Sequence, residues 1–175
     1  MGNRGKKFVF VIGGARSGKS SFALKFASAM PGEKTYMATG AASDPEMKVR
    51  IETHKRSRGN GWKTIEEPRN IAAKLLSAGR NGVILLDCLT LWISNLMEAG
   101  LTDDEIMKEA EAFAASCRKV KANVVAVSNE TGQGIVPENR LARRFRDVSG
   151  LVNQMMAQEA DSVYFVAAGI PVKIK

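Results

Sequence analysis

The sequence predicts an α/β fold in which helices flank a doubly wound, mostly parallel sheet. Short apolar runs alternate with helix-like patterns along the 175 residues, and such runs are typical of buried parallel strands. The first run, residues 8–12, leads through a glycine-rich turn into a helix-like segment. We expect one nucleotide-binding domain over residues 1–175, because domains usually hold about 50–250 residues.

The glycine-rich turn matches a phosphate-binding loop at every fixed position of the pattern G-x-x-x-x-G-K-[ST]. The strand before it and the helix after it are the context in which this loop binds nucleotides, so the fold is expected to be P-loop NTPase-like. Glycine permits the backbone to turn its N–H groups around an anion, and the helix N-terminus adds a positive field. We expect Lys19 to reach the outer phosphates and Ser20 to bind Mg²⁺. The predicted nucleotide-binding residues of the loop are Gly13, Gly14, Ala15, Arg16, Ser17, Gly18, Lys19 and Ser20.

The other elements follow from periodicity and from turn and cap residues. A helix is expected to start at Asp44-Pro45, because Asp favours the N-cap and Pro the first helical position. Thr102 is expected to cap another helix in the same way. The predicted strands are residues 34–39, 62–65, 83–86, 123–128, 162–167 and 172–174. The other predicted helices are residues 70–78, 103 to about 119, and about 138–160, the last with Leu141, Phe145, Val148, Val152 and Met155 on its apolar face.

Three acidic residues follow predicted strands, where ligands of such sheets bind. Asp87 ends the 83–86 strand and is the candidate ligand of Mg²⁺, directly or through water. Glu130 follows the next strand and either accepts the proton of an attacking hydroxyl or caps the loop after it. Glu66 follows residues 62–65 and faces the crevice or solvent.

His54 is the only histidine, so any imidazole chemistry must use it. A neutral imidazole nitrogen can attack phosphorus, and much of the side chain is neutral at pH 7. Arg50, Lys55 and Arg58 surround it in the sequence and would bind a phosphate chain. A structural or surface histidine is the other interpretation.

Charge and composition favour a nucleotide enzyme of the cytoplasm. The formal net charge is +8, but the basic residues are dispersed without interleaved aromatics, which argues against nucleic-acid binding. Four arginines lie close together in the last predicted helix and either form a solvated face or bind an anionic ligand: Arg140, Arg143, Arg144 and Arg146. The two cysteines lack metal-ligand spacing and are expected to be reduced thiols, and no apolar run approaches the length of a membrane span.

Nearly the whole chain resembles the bifunctional adenosylcobinamide kinase and adenosylcobinamide-phosphate guanylyltransferase family. Residues 134–143 and the surroundings of His54 carry the most specific likeness. The matching residues are 13–20, 44–47, 50–51, 54–55, 58, 62, 86–90, 95–96, 129–143, 145–147, 153–154, 160–161 and 169–175.

The resemblance implies two reactions in cobalamin assembly. The hydroxyl of adenosylcobinamide first takes the γ-phosphate of ATP or GTP, and GTP then transfers GMP to the new phosphate, giving adenosylcobinamide-GDP. It further implies that His54 carries GMP, that Glu66 contacts the nucleotide, and that the protein is a homo-oligomer, a trimer in the members of this family. Thr53 stands where some members have a second histidine.

Two other classes of protein share part of this pattern. A small-molecule kinase with a single activity would need the phosphate loop and Asp87 but would leave His54 without a role. A P-loop switch or motor that binds nucleic acid would show steeply salt-dependent affinity for DNA or RNA.

Overall fold

The computed structural model describes residues 5–40 and 61–175, which form a seven-stranded sheet with helices on both faces. The spatial order of the strands is β3-β2-β4-β5-β1-β6-β7. The strands are β1 Phe8–Gly13, β2 Lys34–Ala38, β3 Trp62–Glu66, β4 Val83–Asp87, β5 Asn123–Asn129, β6 Ser162–Ala167 and β7 Ile170–Lys173.

Strands β1 to β6 run parallel, as the alternation of apolar runs and helices predicted. The final strand, β7, pairs antiparallel with β6. Ala168 and Gly169 turn the chain between them at φ of 50° and 81°, the left-handed angles that a tight hairpin turn needs. The prediction of a doubly wound, mostly parallel sheet is confirmed.

The helices bury two apolar clusters, one on each face of the sheet. The helices are α1 Lys19–Ser28, α2 Ile71–Ala78, α3 Leu89–Glu98, α4 Asp103–Lys119 and α5 Arg140–Glu159. Helices α2 to α5 cover a cluster that contains Phe10, Trp92 and Phe113, and α1 packs on the other face with Ala23 and Ala27.

Local chemistry fixes where the two longest of these helices begin. Thr102 and Glu105 form a capping box at the start of α4: the Thr102 hydroxyl accepts from the Glu105 N–H, and the Glu105 carboxylate accepts from the Thr102 N–H. The predicted N-cap at Thr102 is therefore confirmed. The Asn139 side chain caps α5 by accepting from the Ala142 N–H at 3.0 Å.

Two helices differ from the prediction. Helix α3 was not predicted, although Leu89, Ile93 and Leu96 have helical spacing and are buried. The apolar face predicted for the last helix is wrong at Leu141, which is 62% exposed, because the buried positions of this helix begin only at Val148. The helix predicted from Asp44 lies outside the described residues.

Candidate active site

The phosphate loop joins β1 to α1 at the carboxyl edge of the sheet. Gly13 is required there, because a Cβ on it would lie 2.4 Å from the Val166 carbonyl oxygen of β6. Gly18 has a φ of +91°, which favours glycine, and Arg16 also adopts a positive φ of 56°. Ala15 and Arg16 are exposed at the tip of the loop, whereas Ser17 is buried.

Four carbonyl groups of the phosphate loop accept hydrogen bonds from within the protein. The Gly13 oxygen accepts from the Glu130 N–H at 3.0 Å, and the Ser17 oxygen accepts from the Gly169 N–H at 2.8 Å. The Gly14 and Gly18 oxygens accept from N–H groups of the loop and of α1. The loop is thus fastened to the residue that follows β5, to the β6–β7 turn and to its own helix.

Lys19 begins α1 and lies beneath the loop, only 9% exposed. Its ammonium group donates to the Gly14 carbonyl oxygen at 3.0 Å, which holds the side chain along the inside of the loop. Ser20, the next residue, is half-buried in the first turn of α1. The sequence placed both side chains correctly at a helix N-terminus.

Asp87 ends β4, two strands away from the phosphate loop. The Tyr36 hydroxyl donates to Asp87 Oδ2 at 2.8 Å. Thr39, which is fully buried, fixes the next residue through two hydrogen bonds: its hydroxyl accepts from the Cys88 N–H at 2.8 Å and donates to the Cys88 carbonyl at 2.7 Å. Side chain and main chain at Asp87 are therefore both held by β2 and its extension.

Glu130 lies beside the phosphate loop and caps its own turn. Its Oε1 accepts from the Gly132 N–H at 2.6 Å, which is the loop-capping alternative predicted from the sequence. The preceding residue is held firmly, since the Asn129 N–H donates to Thr90 Oγ1 at 2.7 Å and its carbonyl accepts from Asn153 at 3.1 Å. A role of Glu130 as proton acceptor stays a prediction.

Glu66 ends β3 at the same edge of the sheet as Asp87. Both residues are in register with Ala38 of the intervening strand β2, and Glu66 is exposed. The usual strand spacing puts the two backbones about 10 Å apart. His54, Arg50 and Arg58 lie outside the described residues.

The arginines of α5 mostly hold neighbouring backbone in place. Arg143 donates to the Pro137 and Glu138 carbonyls, and Arg146 donates to the Gly134 carbonyl. Arg144 contacts Asp103 and the Leu101 carbonyl, each at 2.6 Å. For these three, the structure shows a role in fastening the loop before α5 and the start of α4.

Cys88 is a buried thiol directly after Asp87. Burial, and secondarily the Asp87 carboxylate, raise its pKa to about 11, and burial also raises the pKa of Cys117. Both thiols are therefore protonated at neutral pH. Both are free cysteines, in agreement with the prediction of reduced thiols.

The donor set at this edge fits Mg²⁺. The metal prefers hard oxygen ligands and commonly takes one or two protein groups together with substrate phosphates and water, which the Ser20 hydroxyl and the Asp87 carboxylate would satisfy. Within residues 5–40 and 61–175, no three His, Cys, Asp or Glu side chains cluster as a metal-binding group. In the same part of the chain, no helix has the length and apolar character needed to cross a membrane.

Sequence reasoning missed Tyr36 and Thr39 as parts of this site. The strand that carries them was predicted, but their contacts with Asp87 and Cys88 depend on β2 lying next to β4. Strand order is not encoded in the local pattern, so only a signal that links distant positions would have found them.

Solved structures share the fold. A KaiC-like protein from Pyrococcus horikoshii OT3 aligns with 91% of this chain and 70% of its own at a TM-score of 0.50 and 12% identity. The RadB recombinase aligns with 91% of this chain and 73% of its own, also at a TM-score of 0.50 and 12% identity. At this identity the likeness concerns the fold, and the fold is P-loop NTPase-like as predicted.

Sequence comparisons identify much closer relatives. The bifunctional adenosylcobalamin biosynthesis protein CobU of Salmonella typhimurium is 42% identical over 180 residues, and that of Escherichia coli K12 is 40% identical over 184; each alignment covers 95% of this chain and 99% of the relative. The bifunctional adenosylcobalamin biosynthesis protein CobP of Pseudomonas aeruginosa is 40% identical over 168 residues, covering 94% of this chain and 95% of the relative. The family described as cobinamide kinase / cobinamide phosphate guanyltransferase matches residues 9–174. The chain therefore belongs to the cobinamide kinase / cobinamide phosphate guanyltransferase family.

Proposed function

We propose that this protein phosphorylates adenosylcobinamide with ATP or GTP and then transfers GMP from GTP to the new phosphate, giving adenosylcobinamide-GDP. Membership of the family and about 40% identity to bifunctional relatives support both reactions. The structural observation that supports the proposal most is the buried Lys19 inside the phosphate loop, at the sheet edge where Asp87 ends β4.

In the first reaction, the substrate hydroxyl oxygen attacks the γ-phosphorus, and the bond from that phosphorus to the β–γ bridging oxygen breaks. Glu130 takes the hydroxyl proton. Lys19 and the loop N–H groups, from Gly13 to Ser20, stabilise the charge on the nucleoside diphosphate that leaves. Ser20 and Asp87 would hold Mg²⁺, which when bound neutralises phosphate charge.

In the second reaction, His54 is the nucleophile. Its neutral ring nitrogen attacks the α-phosphorus of GTP, a P–N bond forms and pyrophosphate leaves. An oxygen of the adenosylcobinamide phosphate then attacks the same phosphorus, the P–N bond breaks and the imidazole is regenerated. Arg50 and Arg58 bind the phosphate chain in this proposal, and Glu66 contacts the nucleotide.

The test is to incubate the protein with GTP labelled at the α-phosphate and to look for an acid-labile adduct. Because the chain contains one histidine, the proposal requires that His54→Ala abolish labelling. The same variant must still phosphorylate adenosylcobinamide from γ-labelled ATP or GTP, which controls for folding and nucleotide binding. Labelling that survives the substitution would overturn the histidine assignment, and a wild-type protein that phosphorylates without ever being labelled is a kinase with one activity.

We further propose that residues 1–175 form one nucleotide-binding domain that acts as a homo-oligomer, a trimer, in the cytoplasm. Light scattering coupled to size-exclusion chromatography gives the mass directly. A particle of about three chains supports the assembly, and a monomer at micromolar concentration contradicts it.

A further inference from the structure

Tyr36 connects the core of the sheet to Asp87. It lies on β2 opposite Leu85, two residues before the position opposite Asp87. Its side chain is only 6% exposed, and its hydroxyl donates to Asp87 Oδ2 at 2.8 Å. The phenol therefore reaches along one face of the sheet from the apolar core to the candidate magnesium ligand.

The ring of Tyr36 is held in place by its neighbours. Trp62 of β3 contacts it edge to face, with ring centroids 6.4 Å apart and an interplanar angle of 87°. Tyr36 also belongs to the buried cluster that contains Val83 and Leu85. Because the ring of Tyr36 is held by this packing, its hydroxyl has a fixed position. The hydrogen bond therefore restricts the orientation of the Asp87 carboxylate.

The main chain at Asp87 is fixed independently. Thr39 binds both the N–H and the carbonyl of Cys88, and the Thr39 N–H donates to the Asp87 carbonyl oxygen at 3.3 Å. Because these bonds hold the backbone, the orientation of the Asp87 carboxylate depends on its side-chain torsion angles. The hydrogen bond from the Tyr36 hydroxyl favours one setting of those angles.

We infer that Tyr36 is a positioning residue: its hydroxyl sets the orientation of the Asp87 carboxylate and thereby the affinity of the protein for the magnesium–nucleotide complex. The inference rests on the proposed role of Asp87 in holding Mg²⁺. Groups that orient a metal ligand commonly change metal affinity by about 10–100-fold when they are removed.

The experiment is a magnesium titration of the binding of a fluorescent, non-hydrolysable GTP analogue to the full chain. Tyr36→Phe is expected to raise the half-saturating Mg²⁺ concentration about tenfold. Affinity for the analogue in excess EDTA should stay within about twofold of the wild type, because the phosphate loop is untouched. Binding of Mn²⁺ followed by electron paramagnetic resonance gives a second readout that does not depend on fluorescence.

Tyr164→Phe is the matched control. It is the same chemical change in a half-buried tyrosine. Tyr164 lies on β6 and packs against Phe22 and Phe26 of α1, away from Asp87. This variant should leave the magnesium titration unchanged. Asp87→Asn should raise the magnesium requirement more strongly, and Tyr36→Phe should add nothing in that background, since the two residues act through one carboxylate.

The outcomes separate the inference from the proposed function. If Asp87→Asn shifts the titration and Tyr36→Phe does not, the positioning role is wrong and the role of Asp87 stands. A Tyr36→Phe protein that binds Mg²⁺ more tightly, or that loses equal affinity in EDTA, also overturns the inference. If Asp87→Asn itself has no effect, the proposed magnesium ligand and the positioning role both fail.

Discussion

Lys19 is nearly buried, and its side chain points along the inside of the phosphate loop. We expect Lys19→Ala to slow both transfer reactions at least about 100-fold, because it removes a preorganised cation from the departing phosphates. Lys19→Arg should not restore activity, since the planar guanidinium is a different shape from the ammonium. Initial rates with labelled ATP and GTP measure this.

Lys25→Ala provides the control for charge alone, because Lys25 is exposed in the last turn of α1. Its rates should match those of the wild type. A Lys19→Ala protein with rates within threefold of the wild type would contradict the role assigned to this residue.

Cys88 makes stability depend on pH in a defined direction. Its pKa is about 11 in the folded protein against an ordinary value of 9.0, so the unfolded chain loses this proton first as pH rises. The stabilisation is complete below pH 9 and is lost as pH rises through about 11. The free energy of unfolding, measured in urea across pH 8–11, should decrease as pH rises. Cys88→Ala should remove the share of that decrease that comes from this thiol.

The same burial predicts unreactive thiols. At pH 7.5 neither Cys88 nor Cys117 should react with a thiol reagent until the protein unfolds, because both are buried and protonated. Rapid modification of one thiol per native chain would contradict this.

At the level of elements, the capping box should contribute measurably to the stability of α4. We expect Thr102→Ala to lower the free energy of unfolding by about 1 kcal/mol, because it removes the hydroxyl that accepts from the Glu105 N–H. Thr102→Ser keeps the hydroxyl and serves as the control. Equal unfolding midpoints in urea for the Ala and wild-type proteins would show that the cap contributes nothing.

The capping box also predicts a pH effect. The N–H and hydroxyl of Thr102 lower the pKa of Glu105, so this contribution is present above the ordinary value of 4.5 and is lost as pH falls through the lowered pKa. The difference in stability between wild type and Thr102→Ala should therefore shrink in acid.

The sequence predicted most elements because their signals are local. A few neighbouring residues are enough to identify each of these elements and to show where it begins or ends. Examples are the phosphate loop, the Thr102 cap and the apolar runs of β1, β4 and β5. Helix α3 was missed because Leu89–Glu98 follows β4 after a single residue, without a helix-capping side chain of its own. Leu141 was misjudged because periodicity cannot tell where along a helix the covering layer begins.

Contacts between different elements were harder to predict from the sequence. The sequence predicted that Asp87 and Lys19 face one crevice, because both follow strands of a parallel sheet. The contacts of Tyr36 with Asp87 and of Gly13 with Val166 needed the strand order, which places residues 51 and 153 positions apart side by side. The role of His54 as the carrier of GMP comes from the resemblance to the family and stays a prediction.

At the scale of the whole molecule, strand β6 of the sheet packs against the start of the phosphate loop. A Cβ at Gly13 would meet the Val166 oxygen at 2.4 Å, whereas a Cβ at Gly14 meets no atom within 4 Å. We expect Gly13→Ala to cost about 2–3 kcal/mol, which for a chain of this size lowers Tm by about 5–10 °C. Gly14→Ala should lower Tm little; thermal unfolding without nucleotide compares the two, and equal effects would refute a role of β6 in supporting the loop.

Ligand binding should stabilise the whole fold through the same edge of the sheet. At a concentration about 100-fold above Kd, Mg–GTP would add about 2.7 kcal/mol, or about 5–10 °C in Tm. EDTA should remove most of this gain in the wild type. In Asp87→Asn the gain should be small with or without the metal, and a full gain there would contradict the assignment of Asp87 as a magnesium ligand.

The bonds that fasten the phosphate loop have a consequence for which ions it admits. Hydrogen bonds from protein N–H groups occupy the carbonyl oxygens of Gly13, Gly14, Ser17 and Gly18, which weakens the attraction of these oxygens for a cation. The loop thus favours anions over cations even when no nucleotide is bound. It should bind inorganic pyrophosphate in competition with GTP, and it should bind sodium and potassium ions only weakly.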